Sequence, residues 1–267
     1  MFYLTINLTE TAFHPRVKVH SERTQNMKRF VFIILLISNI LVYSDPIKVG
    51  ILDYWPPFST RADSNNHYFG FAIDLMDAIC MRLKRECVYM ATPINDQLNR
   101  LNQGSIDVSF APNPITPNLP DNYLFSLPFI ASNGQLIVLQ DSNINTIADI
   151  EHKKIGVFKL TLFDSLLTAK VNPNNTIIGF EKFNSLVNAF LSGNVDVIML
   201  NYSFAQYFIN TTEARLKLVG NKISLGNGYG ILALKRNSAL IDDINHALLD
   251  MEEDGSYMGI YNQYFSN

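Results

Sequence analysis

The aromatic run Tyr54-Trp55-Pro56-Pro57-Phe58 contains the side chains best suited to hold a small organic ligand in this 267-residue chain. It follows an apolar segment at 47–51 that is typical of a buried strand, and its two prolines predict a loop because proline cannot donate to a strand ladder. Ligand crevices in open α/β sheets form beyond the carboxyl ends of strands. We therefore predict that Trp55 contacts a ligand. The alternative is that these rings only pack the core.

Sequence patterns for common catalytic chemistry are absent from the chain. There is no glycine loop for phosphate, no Gly-x-Ser-x-Gly, no His-Glu-x-x-His and no Cys-x-x-Cys. His67, His152 and His246 are scattered and are predicted to be surface residues. We therefore expect no catalytic residues, no metal site and no cofactor, and we predict that the protein is not an enzyme.

Cys80 and Cys87 are the only cysteines. A disulfide between them would close an eight-residue loop between the end of a helix and the start of a strand. Two free thiols on one helix face are also possible, because positions i and i+7 align on a helix. The spacing alone leaves both alternatives open.

Apolar periodicity predicts the elements that position these residues. A helix at 70–84 carries apolar residues at helical spacing, and strands alternate with helices on both sides of it, which indicates parallel βα units. Segments 101–107 and 191–196 have the same sequence pattern. Each contains the end of a helix, a glycine and a strand that carries an Asp. The predicted strands are 47–51, 88–91, 106–110, 135–139, 154–158, 177–180, 195–199 and 231–234, and the other predicted helices are 95–103, 184–191, one from about 203 and 240–251, followed by a short aromatic tail.

The composition predicts a folded protein that does not bind nucleic acid. Hydrophobic residues make up 48% of the chain and charged residues 17%, which favours a sizeable core. The formal net charge is -3, so the basic surface typical of nucleic-acid binding is missing.

Residues 1–44 are predicted to be a leader that is removed on export. The apolar run 30–43 follows Met27-Lys28-Arg29, and Ser44 provides a small residue for cleavage, as in a signal peptide. A membrane anchor or buried helix is the alternative, but a span needs about 20 residues. We expect a true start at Met27, cleavage near Ser44, and a periplasmic or secreted protein.

Three motifs carry a family resemblance. The run from Gly70 to Cys80 closed by Cys87, the stretch 144–157, and the ending Asp254-Gly255-Ser256-Tyr257 through Phe265 are similar to those of the bacterial extracytoplasmic solute-binding proteins, family 3. Among these polar amino-acid binders the chain most resembles those for lysine/arginine/ornithine and histidine, although Ala72 stands where the family usually has an acid.

The resemblance implies a periplasmic binding protein fold with two α/β lobes, parallel-rich sheets flanked by helices, and two crossovers near 131–135 and 226–230. Lobe 1 would comprise 45–131 plus 230–267, and lobe 2 would comprise 132–229. It also implies the Cys80–Cys87 disulfide, a small-molecule ligand in the cleft, ABC permease subunits as partners, and a monomer. The implied ligand-binding residues are Tyr54, Trp55, Phe58, Ile94, Asn113, Leu119, Lys159, Thr161, Asn201 and Tyr202.

The charged clamp for an α-amino acid is altered in this chain. Leu119 stands where the family has the arginine that binds the ligand's carboxylate, Pro114 stands where it has a hydroxyl residue, and Asn201 stands where it has the aspartate that holds the α-ammonium. Because the arginine and the aspartate are both replaced, neither is left as an unpaired charge in the cleft. We therefore expect an atypical neutral or anionic ligand with an aromatic or apolar face, and Lys159 is the nearest cation candidate.

Drift after loss of function, or a one-residue slip in alignment, could also account for the altered clamp. A slip cannot restore the guanidinium, however, because no arginine lies between 101 and 214. Two rival functions stay open at this point. One is a dehydratase-type enzyme on the same scaffold, and the other is a sensor or partner-docking protein.

Overall fold

The computed structural model describes residues 45–117, 120–159 and 174–265. The predicted leader with its cleavage near Ser44, and the predicted site residues Leu119 and Thr161, lie outside these ranges. Asp45–Asn267 forms one compact unit. The description below concerns this unit.

The first five-stranded sheet mixes parallel and antiparallel neighbours. β1 pairs in parallel with β5 and β6, whereas β13 runs antiparallel to both β6 and β7. Ile47, Val49 and Ile51 are fully buried, as expected for an interior strand of a covered sheet. In order across the sheet, the strands are β5 (Cys87–Ala91), β1 (Ile47–Ile51), β6 (Val108–Phe110), β13 (Tyr229–Leu234) and β7 (Tyr123–Ile130).

Four helices belong to this sheet, and together they form lobe 1. The two C-terminal helices and the first helix pack on one another, and their buried or partly buried apolar residues join the sheet's hydrophobic core. The predicted aromatic tail is in fact a helix, because its rings pack against the rest of the lobe 1 core at helical spacing. The helices are α1 (Phe71–Arg82), α2 (Gln97–Gln103), α5 (Ser238–Glu253) and α6 (Ser256–Phe265).

A disulfide joins Cys80 in α1 to Cys87 at the start of β5, with the two Cα atoms 6.0 Å apart. This confirms the pairing that the family resemblance implied. The alternative of two free thiols is wrong, because β5 begins at Cys87 and the two cysteines therefore do not share one helix.

The second five-stranded sheet, with α3 (Phe183–Leu191) and α4 (Tyr202–Thr211), forms lobe 2. β9 pairs in parallel with β10 and β11, while β8 runs antiparallel to β11 and β12. In order across the sheet, the strands are β10 (Thr176–Phe180), β9 (Lys154–Phe158), β11 (Val197–Asn201), β8 (Asn133–Leu139) and β12 (Leu216–Ser224).

The sequence pattern did not predict β12. This strand changes register between Val219 and Ile223, and Gly220 within it has a positive φ of 71°. A β-bulge of this kind breaks the two-residue alternation by which a half-buried strand is recognised. The irregularity therefore explains the miss.

Two connections join the lobes. The chain passes from β7 to β8 through 131–132 and returns from β12 to β13 through 225–228, so the two implied crossovers are present. The division of the chain into 45–131 plus 230–267 and 132–229 stays our proposal. A small third sheet joins β2 (Tyr54–Trp55), β3 (Ser59–Arg61) and β4 (Tyr68–Phe69), so the prediction that 54–58 is entirely loop was wrong for its first two residues.

The two echoing sequence segments make the same contacts in the two lobes. In lobe 1 the Asp107 carboxylate accepts a hydrogen bond from the Lys48 backbone N–H at 2.9 Å, and Asp107 N–H donates to Lys48 O at 2.8 Å. In lobe 2 Asp196 makes the same two contacts with Lys154, at 2.8 and 2.9 Å. Each Asp thus satisfies backbone groups on the neighbouring strand. The strands themselves begin just after each Asp, β6 at Val108 and β11 at Val197, two residues later than the predicted starts at 106 and 195.

Candidate functional site

A cavity of about 1300 Å³ opens between the lobes. Its walls lie at or just beyond the carboxyl ends of three strands of each sheet, β1, β5 and β6 in lobe 1 and β9, β10 and β11 in lobe 2. Parallel strands leave a crevice at this edge, because the connections to the following helices diverge there. The lining consists of 52–55, 91–95 and 112 from lobe 1, and of 158–159, 181–184, 199–201 and 204 from lobe 2.

Tyr54 is the exposed aromatic of the lobe 1 wall. Its side chain is 52% exposed, and its ring lies 6.0 Å from that of Phe183, which begins α3 in lobe 2. Partial burial raises the pKa of the Tyr54 hydroxyl, and nearby Tyr207 adds to the effect. The Tyr54–Phe183 pair therefore joins the two walls of the cavity.

Trp55 also lines the cavity, but only 4% of its surface is exposed. Its ring stacks on Phe58 with centroids 4.0 Å apart and a 13° angle between the planes, and it meets Tyr229 edge-on at 6.4 Å. Trp55 thus packs the core and also contributes to the cavity wall. Its contact with a ligand stays a prediction.

Phe58 lies behind Trp55 rather than in the cavity. It is fully buried, and it contacts Phe71 and Phe265 as well as Trp55. We therefore correct the predicted ligand contact of Phe58, because packing against α1 and α6 occupies its ring. Its ring supports the Trp55 ring by stacking on it.

Asn113 and Tyr202 also lie outside the cavity lining, whereas Ile94 lies within it. Asn113 Nδ2 donates to Ser109 Oγ at 3.1 Å, which holds the amide against β6, and its neighbour Pro112 lines the cavity instead. The hydroxyl of Tyr202 accepts a hydrogen bond from Gln206, and Lys222 Nζ lies 3.6 Å from its ring centroid. These contacts place both side chains away from the site that the sequence assigned to them.

Asn201 lies in the cavity wall with both ends of its amide engaged inside the protein. Its Oδ1 accepts a hydrogen bond from the Phe204 backbone N–H at 3.2 Å and so caps α4. Its Nδ2 donates to the Tyr229 hydroxyl at 3.1 Å and approaches Asn133 O at 3.5 Å. Burial raises the pKa of Tyr229 to about 12, although this hydrogen bond opposes the rise.

Lys159 reaches the cavity from the end of β9. Its Nζ lies 3.7 Å from Glu181 Oε1, and the two side chains are 47% and 79% exposed. Exposed pairs of this kind contribute about 0 to 1 kcal/mol, because water screens the charges. Lys159 is therefore held loosely by its counter-ion.

The described lining carries two acidic and two basic side chains, Asp53, Glu181, Lys159 and Lys182. Asp53 Oδ1 accepts hydrogen bonds from Arg61 at 2.8 and 3.1 Å and from the Tyr68 hydroxyl at 3.2 Å. Its charge is thus largely met within the small third sheet. The cavity wall as a whole is formally neutral, with aromatic surface between the charges.

The lobe 2 segment 181–184, which was not among the predicted site residues, supplies Glu181, Lys182 and Phe183 to the wall. This segment directly follows β10, so it occupies the same position after its strand as the aromatic run occupies after β1. The rule that selected Trp55 could therefore have found it. Among predicted residues, the structure brings Tyr54, Trp55, Ile94, Lys159 and Asn201 together around the cavity.

Residues 45–117, 120–159 and 174–265 contain neither a candidate metal site nor a membrane-spanning helix. No group of three or more His, Cys, Asp or Glu side chains is arranged to hold a metal ion there. Among the same residues, no helix is both long and apolar enough to cross a bilayer.

Comparison with known proteins gives consistent similarities. The family model for bacterial extracellular solute-binding proteins, family 3, matches residues 47–267. The ABC transporter arginine-binding protein 1 of Escherichia coli K12 is 24% identical over 245 residues, which cover 90% of this chain and 99% of the relative. The arginine-binding periplasmic protein of Mannheimia haemolytica is 26% identical over 214 residues, which cover 79% and 87%.

Among solved structures, an arginine 3rd transport system periplasmic binding protein from Legionella pneumophila is similar with a TM-score of 0.79 and 34% identity. The match covers 83% of this chain and all of that one. It confirms the two-lobed α/β fold. The residues that line the cavity all lie within the range 47–267 that the family model matches.

Proposed function

The chain belongs to family 3 of the bacterial extracellular solute-binding proteins, and from this membership we propose that it is the substrate-binding component of an amino-acid-type ABC transporter. It acts in the periplasm or outside the cell as a monomer, and it delivers its solute to permease subunits without chemical change. The cavity at the strand ends of both lobes is the observation that supports this most directly. The similarity to an ABC transporter arginine-binding protein and to an arginine-binding periplasmic protein favours the same role.

Closure on the ligand follows from a cavity that is shared by two lobes. A solute that touches both walls binds more tightly when the lobes approach, so its differential affinity shifts the population toward the closed form. The connections at 131–132 and 225–228 are the segments that absorb the motion. The permease distinguishes this closed form from the open form.

Mass spectrometry of small molecules released from purified, denatured protein tests the proposal. We expect a stoichiometric solute that restores a thermal shift when it is added back to ligand-free protein. Recovery of no solute, together with no thermal shift from any member of a broad metabolite panel, would contradict solute capture.

We further propose that the solute is atypical for the family, with an aromatic or apolar face and no free α-ammonium. The state of Asn201 supports this, because a neutral amide whose oxygen already caps α4 has no negative charge and only one remaining lone pair to offer an ammonium group. Tyr54 and Phe183 offer aromatic surface instead.

Amino acids should then bind poorly. Truncating one partner of a buried charge pair costs about 2 to 5 kcal/mol, which is about 30-fold to several-thousand-fold in affinity. We expect lysine, arginine, histidine and glutamine to give no thermal shift at concentrations that saturate an ordinary amino-acid binder. Calorimetric binding of any of them at micromolar concentration would overturn the atypical ligand and leave the transport role in place.

A further inference from the structure

The stem of Lys159 lies across a glycine on the neighbouring strand. β9 and β10 run parallel with Phe158 opposite Phe180, and the Lys159 N–H donates to Phe180 O at 2.8 Å, so the pairing continues one residue past β9. A Cβ placed on Gly179 would lie 2.6 Å from Lys159 Cγ, 3.0 Å from Cε and 3.3 Å from Cδ. The missing side chain at Gly179 is therefore what leaves room for the lysine stem.

The clash that a Cβ would cause falls at the start of the lysine stem rather than at its flexible end. Cγ is fixed by a single torsion, so relieving a 2.6 Å contact requires a different χ1 rotamer for Lys159. A changed χ1 redirects the whole side chain and carries Nζ away from Glu181. The position of the ammonium thus depends on Gly179.

The ion pair that Lys159 makes is suited to exchange. Glu181 is 79% exposed, and its Oε1 is 3.7 Å from Nζ, beyond the usual range of about 2.7 to 2.9 Å for a charge-assisted hydrogen bond. A ligand carboxylate that reaches Nζ from inside the cavity would be less hydrated than Glu181 and would interact more strongly. The Glu181 carboxylate can then turn toward water at little cost in free energy, because exposed ion pairs are weak.

We propose that Gly179 is a positioning residue that fixes Lys159 as an anchor for the carboxylate of the solute, with Glu181 as a counter-ion that the carboxylate displaces. This inference rests on the proposed solute-binding function and narrows its ligand to a carboxylate with an aromatic or apolar body. Tyr54 and Phe183 contact that body, and Lys159 binds the charged end.

The test uses 3-phenylpropionate and its neutral amide, 3-phenylpropanamide, as probes on the purified full chain. Fluorescence of the single tryptophan, Trp55, reports binding because its ring lies in the cavity wall. We expect the carboxylate to bind about fivefold more tightly than the amide. Lys159→Gln and Gly179→Ala should both reduce this ratio to about one, and Glu181→Gln should increase it.

Gly259→Ala is the matched control, because a Cβ at this exposed helical glycine meets no atom within 4 Å. It should keep the ratio of the parent protein. A ratio that survives Gly179→Ala, or equal affinity of the parent for both probes, would overturn the role of Gly179 and Lys159. Failure to bind either probe would also overturn it, while recovery of a released solute by mass spectrometry would leave the proposed function intact.

Discussion

At the scale of single residues, the cavity combines side chains that are committed within the protein with side chains that are available. Asn201 is 5% exposed and bonded at both ends, and Asp53 is paired with Arg61, so neither is free to take a ligand charge without losing a contact. Tyr54 and Lys159 are exposed and loosely held. The selectivity of the cavity for its ligand should therefore depend on Tyr54 and Lys159.

Phe58 allows a test of how Trp55 is supported. Phe58→Ala should lower the free energy of unfolding by about 3 to 5 kcal/mol, because it leaves a void beneath a stacked and fully buried ring. Trp55 emission should shift to the red as water enters. Urea denaturation followed by fluorescence measures both.

Phe69→Ala is the control for this change, since Phe69 is 55% exposed and its removal opens no void. Its cost should stay within about 0.5 kcal/mol. Equal losses for the two variants would show that Phe58 does not support Trp55.

The sequence could predict part of the site at this scale. The rule that ligands bind beyond carboxyl ends of strands identified Tyr54 and Trp55, but not which of the two rings would be exposed. Phe58 was misplaced because its burial is set by α1 and α6, whose arrangement depends on contacts far apart in the chain. Local spacing contains no information on those contacts.

At the scale of elements, the start of α1 depends on one glycine. Gly70 has a φ of 130°, and a Cβ placed there would lie 2.4 Å from Phe58 O. The Phe71 and Ala72 N–H groups donate to Pro57 O and Phe58 O, so the loop and the first turn of the helix are held together. A larger residue would have to break this junction.

Gly70→Ala should therefore destabilise the protein by about 1 to 3 kcal/mol or more, from backbone strain and from a clash with a carbonyl that cannot move independently. Gly259→Ala, inside α6, should instead stabilise it by about 0.5 to 1 kcal/mol. Thermal unfolding of the two variants separates these effects. A neutral Gly70→Ala variant would show that the loop tolerates another conformation.

The junction of α5 and α6 should contribute to acid sensitivity. Hydrogen bonds from the Ser256 hydroxyl and N–H, and then from Arg82, lower the pKa of Asp254 to about 2 from 3.8. A carboxyl with a lowered pKa in the folded state stabilises it above the unfolded-state pKa, and the stabilisation is lost as pH falls from about 4 to about 2.

Asp254→Asn should therefore flatten the fall in melting temperature between pH 4 and pH 2, and it should lower the melting temperature at pH 7. Asp242→Asn, an exposed change on α5, is the control and should keep the slope of the parent. Identical slopes for all three proteins would contradict the role of Asp254. Calorimetry over this pH range gives the measurement.

Most elements followed from apolar periodicity, and the exceptions are strands that lack it. Strands β1, β5 and β9 and helices α1, α3 and α5 have regular apolar spacing, and they lie close to where the sequence predicted them. The bulged β12 and the two-residue β2 lack this regular apolar spacing. Their pairing with β8 and β3 defines these two strands, rather than the pattern of their own side chains.

At the scale of the whole molecule, the lobes meet through rings as well as through the two connections. Tyr54 of lobe 1 contacts Phe183 of lobe 2, and Phe183 packs in turn on Phe204 and Phe208. An aromatic pair contributes about 0.5 to 1.5 kcal/mol. This contact therefore favours closure before any ligand arrives.

Tyr54→Ala should raise the ratio of open to closed forms of the ligand-free protein by about two- to tenfold. The radius of gyration measured by small-angle X-ray scattering should increase accordingly. Tyr54→Phe keeps the ring and should behave like the parent protein. Scattering curves that coincide for all three would show that the ring contact does not restrain the lobes.

The position of β13 affects how the chain is made. This strand lies between β6 and β7 of the first sheet, yet it is synthesised after every strand of the second. A chain that emerges amino terminus first can complete lobe 2 while β6 and β7 still present unpaired edges to solvent. We expect nascent chains to stay vulnerable to proteases and dependent on chaperones until the last 40 or so residues emerge, so that a capture-competent cleft exists only once β13 has taken its place between β6 and β7.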